Sequence, residues 1–165
     1  MEGQPKLKVT LFATDWIIEI LAVVTLLAIW IVVLVNYANL PDEIPTHYNG
    51  SGEADGFSHK NEIFALPIVT TILFAGLTII NRFPHIFNYP TEITPDNAAL
   101  QYKFMTRMIR FLKLSIAVIF LMIVLGTVAT ANEITNGLGK WFLPCVMALI
   151  FVPTLYFIIR SSREK

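Results

Sequence analysis

Four long apolar runs constrain this 165-residue chain more than any other feature. Crossing about 30 Å of hydrocarbon takes roughly 20 mostly apolar residues in a helix, and a backbone in lipid must satisfy its own hydrogen bonds. Only Glu19 and Lys113 carry charge within these runs. The sequence therefore predicts an all-α membrane protein that forms a single domain over residues 1–165. Its four transmembrane helices are expected at residues 16–35, 63–80, 111–131 and 141–159.

The composition supports a membrane assignment. Hydrophobic residues make up 55% of the chain and charged residues 15%, whereas soluble domains carry about 25% charged residues. Twelve basic and twelve acidic residues give zero net charge, which removes the main electrostatic support for nucleic-acid binding. The lone Cys145 lies in an apolar run, where a thiol behaves as a small hydrophobe.

Basic residues are unevenly distributed between the connections. Ten of the twelve precede the first run, lie between the second run and the first turn of the third, or follow the fourth, while the other two connections hold only Lys60 and Lys140. By the positive-inside rule, both termini and the connection 81–110 are expected in the cytoplasm. Residues 36–62 are then an external segment of a multi-pass protein in the cytoplasmic membrane.

Acidic side chains occur near the start of the first span. Asp15 and Glu19 are one helical turn apart, and acids at this depth are costly unless they are paired. Arg107, Arg110 and Lys113 reach the same level on the third helix. We expect a structural ion pair here, with a role in proton coupling as the alternative.

The third helix is expected to extend beyond the bilayer. Residues 94–96 (TPD) supply an N-cap, a first-turn proline and an acid, so one helix from Pro95 to about Ala131 would be roughly 55 Å long. Prolines inside the second and fourth spans predict kinks. These are Pro67, Pro144 and Pro153.

The external segment 36–62 is long for a connection in a helical bundle and contains many polar side chains that could bind a ligand. Apolar anchors and glycines indicate a compact ordered cap, for which a short hairpin is one form. Imidazole, carboxylate and amide groups occur within thirteen residues, at His47, Asn49, Glu53, Asp55 and His59. Such groups suit a divalent metal ion, with His47, Asp55 and His59 as the candidate ligands. The alternative is that His47 and Asp55 hold turns through hydrogen bonds.

The external segment also carries a long motif, LPDEIPTHYN at residues 40–49 and GEADGFSHK at 52–60. This motif, between two apolar runs, resembles the bacterial membrane domain of unknown function at the N-terminus of SdpI-type immunity proteins. Some relatives protect a toxin-producing cell from its own secreted peptide and signal to a repressor. The resemblance thus implies an immunity-like protein of the bacterial inner membrane. The residues that match the motif include Pro45, His47, Asn49, Gly52, Asp55 and Lys60.

These observations predict a non-enzymatic membrane protein that binds a peptide or a metal ion at its external Pro-x-His-x-Asn loop. Its partners are the lipid bilayer and a secreted peptide or membrane protein. One alternative is a small permease or ion-conducting bundle, and another is a metal-dependent hydrolase that uses His47, Glu53, Asp55 and His59. The sequence contains no HExxH pair, no G-x-S-x-G elbow, no P-loop and no GxGxxG motif after a strand. The expected ligand-binding residues are His47, Asn49, Glu53, Asp55 and Lys60.

Overall fold

The computed structural model describes residues 4–163 and is mostly helical. Within that range, four helices are long and apolar enough to cross a membrane, as the hydropathy pattern predicts. They are α1 (Ala13–Asn36), α2 (Ala65–Ile80), α3 (Ala98–Ala131) and α4 (Phe142–Arg163). Many of their large apolar side chains are exposed, among them Val35, Ile72 and Val152, which is the arrangement expected of helices that face lipid.

The all-α prediction is incomplete, because residues between α1 and α2 form a hairpin. Strands β1 (Glu43–Tyr48) and β2 (Ala54–His59) pair antiparallel. A short 3-10 helix, Lys60–Phe64, then leads into α2. A hairpin forms here because Asn49 and Gly52 favour a tight turn between two short runs that contain apolar residues.

Helix α3 is the centre of the bundle, since α1, α2 and α4 all pack against it. The hairpin packs on α3 as well. A buried apolar cluster joins these elements, with Ile29 and Val33 from α1, Ile44 from β1 and Val124 from α3. The hairpin is therefore fastened to the helices by a shared core.

The helical bundle has two ends that differ in charge. The hairpin end comprises residues 37–64 and the α3–α4 connection, residues 132–141. The basic end comprises residues 4–12, the α2–α3 connection, residues 81–97, and the nearby turns of the helices.

Helix α3 begins at Ala98, three residues later than the predicted start at Pro95. Thr94 and Asn97 form reciprocal side-chain to backbone hydrogen bonds of 3.3 and 2.9 Å. These bonds close a separate turn before the helix. The helix includes residues 98–110, as the predicted extension of the third helix requires, and its 34 residues span about 51 Å.

The expected proline interruptions are mostly absent. Pro67 and Pro144 are the third residues of α2 and α4, where a missing N–H removes no intrahelical hydrogen bond. Pro153 alone lies inside a described helix. The prediction that all three prolines interrupt their spans is therefore corrected for Pro67 and Pro144.

Candidate functional site

A cavity of about 550 Å³ lies beneath the hairpin. It is lined by residues of β1, of the start of α2, of the C-terminal part of α3 and of the start of α4. Five consecutive residues of β1, from Ile44 to Tyr48, line it. The cavity therefore follows β1 over five of the six residues of the strand. Its floor is apolar and consists of Ile63, Leu66, Ile123, Leu138 and Phe142.

The inner wall of this cavity contains a pair of hydroxyl groups. The Tyr48 hydroxyl lies 2.8 Å from that of Thr127 on α3, and Thr127 is buried. Burial raises the pKa of Tyr48 above its usual value, while the hydrogen bond to Thr127 acts in the opposite direction. These two hydroxyl groups satisfy each other, so they hold the hairpin on the helix.

His47 and Asp55 form the exposed polar feature of the hairpin. Their Nδ1 and Oδ1 atoms lie 2.5 Å apart, and the side chains are 73% and 43% exposed. With Nδ1–H donating to Asp55, the Nε2 atom of a neutral His47 is an acceptor. Gly56 faces His47 across the hairpin, and a Cβ at that position would lie 2.9 Å from the His47 Cβ. The glycine therefore makes room for the histidine.

Three other residues of the predicted ligand set have structural contacts. The Asn49 side-chain oxygen accepts hydrogen bonds from the backbone of Ser51 and Glu53, and its amide donates to the Glu53 carboxylate. Lys60 lies 3.1 Å from Asp42 and donates to the Leu40 carbonyl. Asn49 and Glu53 thus shape the turn, and Lys60 closes the base of the hairpin.

The structure does not bring the candidate metal ligands together. His59 lies opposite Glu43 in the register, whereas His47 lies opposite Gly56. Three residues of strand separate the two histidine positions, which amounts to roughly 10 Å. Across the described part of the chain, no three His, Cys, Asp or Glu side chains are grouped to hold a metal ion. The set of His47, Asp55 and His59 is corrected to a pair, His47 and Asp55.

At the basic end, the charged residues predicted to pair do meet. Arg107 donates two hydrogen bonds to Asp15, of 2.7 and 2.9 Å. Glu19 accepts from Lys113 at 2.5 Å and lies 3.2 Å from Arg110. These contacts join α1 to α3 with opposite charges, as burial in an apolar bundle requires.

Sequence reasoning missed several polar contacts between helices. Lys113 also donates to Thr78 on α2 at 3.0 Å. Ser115 on α3 donates to the Leu149 carbonyl of α4. The buried Ser161 donates to Gln101. The available signal was the presence of small polar residues in apolar runs, which often mark helix–helix contacts in membranes.

The four apolar helices and the hairpin that roofs the cavity define a multi-pass membrane protein. Residues 24–71 match a family described as "Domain of unknown function (DUF1648)", so the resemblance to a membrane domain of unknown function is confirmed. The match covers part of α1, the whole hairpin and the start of α2. These are elements that surround the cavity.

One relative is an "Uncharacterized protein" from Archaeoglobus fulgidus. It is 33% identical to this chain over 78 residues, which cover 42% of this chain and 43% of that protein. The chain therefore matches less than half the length of this curated relative. No solved structure matches.

Proposed function

We propose that this protein is a non-enzymatic membrane protein that binds a cationic peptide in the cavity beneath the hairpin. The observation that carries the proposal is the shape of the cavity, which follows β1 over five residues and has a volume of about 550 Å³. That volume lies in the range of ligand sites, about 300–1,000 Å³. A groove along a strand suits an extended peptide.

The lining of the cavity suits a ligand with apolar side chains. Ile63, Leu66 and Phe142 contribute to the floor, while His47 and Glu62 lie at the polar rim. Buried apolar anchors supply most of the binding energy in such sites, and a few polar groups fix the orientation of the ligand. The Nε2 atom of His47 supplies an acceptor for a backbone or side-chain N–H of the peptide.

Charge complementarity favours a cationic ligand. The hairpin end carries six acidic residues and two lysines, a net charge of −4 with neutral histidine. Glu62 is the acidic residue that lines the cavity. A field of this sign attracts cations and speeds their association.

The charge distribution also supports an orientation. Nine of the eleven basic residues between positions 4 and 163 lie at the basic end of the bundle, and ends rich in basic residues usually face the cytoplasm. In this orientation the hairpin is extracytoplasmic and meets peptides from outside. Sequestration of a secreted peptide at a bacterial inner membrane then agrees with the immunity-like resemblance.

The test measures peptide binding to the full chain in phosphatidylcholine nanodiscs. The probe is a fluorescent twelve-residue peptide of alternating Lys and Leu, the comparison peptide has Glu in place of Lys, and empty discs give the lipid background. Specific binding of the Lys peptide, weakened by salt, is the expected result. Binding that is equal for the two peptides, or no greater than that of empty discs, would refute the proposal.

Two tryptophan variants locate the site. Ala65 lines the cavity, so A65W fills it without changing the hairpin and is expected to weaken binding at least tenfold. Ala75 is exposed on the same helix and does not line the cavity, so A75W is the matched control and should bind as wild type. Equal affinities of A65W and A75W would place the peptide elsewhere.

A further inference from the structure

A second groove, of about 530 Å³, lies between α1 and α2 at the basic end. We propose that it binds one anionic phospholipid, with the phosphate beside Arg82 and Arg110 and an acyl chain along α1. The site is independent of the peptide cavity, which lies at the other end of the bundle. Either leaflet presents phosphate groups at its surface, so the site does not depend on which end faces the cytoplasm.

The wall along α1 suits an acyl chain. Trp16, Ile20, Val23 and Val24 line the groove, and all four side chains are exposed. Their spacing of three to four residues places them on one face of the helix. This apolar face leads from the basic end toward the middle of the bundle, as a lipid tail does.

The side chains around the groove carry more positive than negative charge. The cluster between α1 and α3 contains Arg107, Arg110 and Lys113 against Asp15 and Glu19. Arg82, exposed at the end of α2, also lines the groove and forms no ion pair with any residue from 4 to 163. Of these six side chains, which sum to a net charge of +2, Arg82, Arg110 and the carboxylate Glu19 line the groove. The cluster between α1 and α3 keeps one positive charge in excess in a mostly buried setting, which is costly, and the monoanionic phosphodiester of a lipid reduces that cost.

Two buried polar atoms lack hydrogen-bond partners beside this charge. Arg110 is 7% exposed and lines the groove. Its Nε lies 3.2 Å from Glu19 but makes no hydrogen bond to the described residues. Asn81 donates to the Thr106 carbonyl, whereas its own Oδ1 has no partner in that part of the chain. A buried donor and a buried acceptor in one groove favour a headgroup with both phosphate oxygens and hydroxyls.

Phosphatidylglycerol has this headgroup chemistry, and phosphatidylcholine lacks both the net negative charge and the hydroxyls. The test is native mass spectrometry of the full chain in detergent, titrated with each lipid of identical acyl composition. We expect one tightly held phosphatidylglycerol and affinity for phosphatidylcholine at least tenfold weaker. Equal affinity for the two lipids would overturn the proposal.

Variants assign the bound lipid to the groove. R82Q removes an exposed cation from it and is expected to weaken phosphatidylglycerol binding about tenfold. R163Q removes the same charge from the same end, at an exposed position of α4 that does not line the groove, and should leave binding unchanged. V24W fills the apolar part and is expected to abolish the adduct. Equal losses in R82Q and R163Q would mean nonspecific attraction to the basic end.

Discussion

The Tyr48 hydroxyl lies 2.8 Å from the Thr127 hydroxyl, and this contact joins the end of β1 to the buried face of α3 across 79 residues of sequence. It lies on the inner wall of the cavity beneath the hairpin. The position of the cavity roof therefore depends on a polar contact as well as on the apolar cluster around Ile44.

Removing this contact should destabilise the hairpin end. We expect Y48F and T127V each to lower the free energy of unfolding by about 1 kcal/mol, the usual net value of a hydrogen bond. The double variant should lose less than the sum of the two, since both single changes remove the same contact. Equilibrium unfolding in mixed micelles measures all three, and strictly additive losses would mean that the hydroxyls do not interact.

Stability should fall at high pH because of two half-buried phenols, Tyr48 and Tyr89. Burial raises the pKa of Tyr48, and burial together with the neighbouring Tyr102 raises the pKa of Tyr89. A folded-state pKa above the unfolded value of about 10 stabilises the fold below pH 10. That contribution is lost as the pH rises through the folded-state pKa. Unfolding free energies measured from pH 9 upward should decline less steeply in Y48F and Y89F than in wild type, and parallel curves would contradict this assignment.

Gly52 should tolerate no side chain. Its φ is +80°, and a Cβ there would lie 2.8 Å from the Gly139 carbonyl carbon in the α3–α4 connection. We expect G52A to lower the unfolding free energy by roughly 2 kcal/mol or more, through backbone strain and the clash. Gly50, in the same turn, has open space around it, so G50A is the control and should change stability by less than about 0.5 kcal/mol. Thermal melting of G52A and G50A in detergent tests this prediction. Equal melting temperatures of the two variants would refute the close contact between Gly52 and Gly139.

The buried ion pair at the basic end should matter more than the exposed one at the hairpin end. Asp15 is 3% exposed and accepts both hydrogen bonds from Arg107. D15N leaves that guanidinium without its counter-charge, and we expect a loss of about 3–5 kcal/mol. Asp42 pairs with Lys60 but is 86% exposed, so D42N removes the same charge at a cost of at most about 1 kcal/mol. Unfolding titrations of D15N and D42N measure the two losses of unfolding free energy. Similar losses would mean that the ion pair of Asp15 with Arg107 is exposed to solvent.

The helices could be predicted because each span is a local property of the sequence. A run of about 20 apolar residues is enough to indicate a membrane helix, so all four were found, although α3 begins at Ala98 and not at Pro95. The contacts of Asp15 and Glu19 with basic residues of α3 could also be anticipated, because a charge in an apolar bundle needs a partner at the same depth. The register of the hairpin could not be predicted from the sequence, and for that reason His59 was wrongly grouped with His47.

The sequence by itself determined the four apolar helices, the unequal charge at their ends and the turn-forming residues of the hairpin. These depend on hydrophobicity, charge and local backbone preference, which each segment carries alone. Only the tertiary structure decided that β1 roofs a cavity, that Tyr48 meets Thr127 and that Gly52 contacts Gly139. Such contacts join residues far apart in the chain, and their geometry depends on how the helices pack around α3.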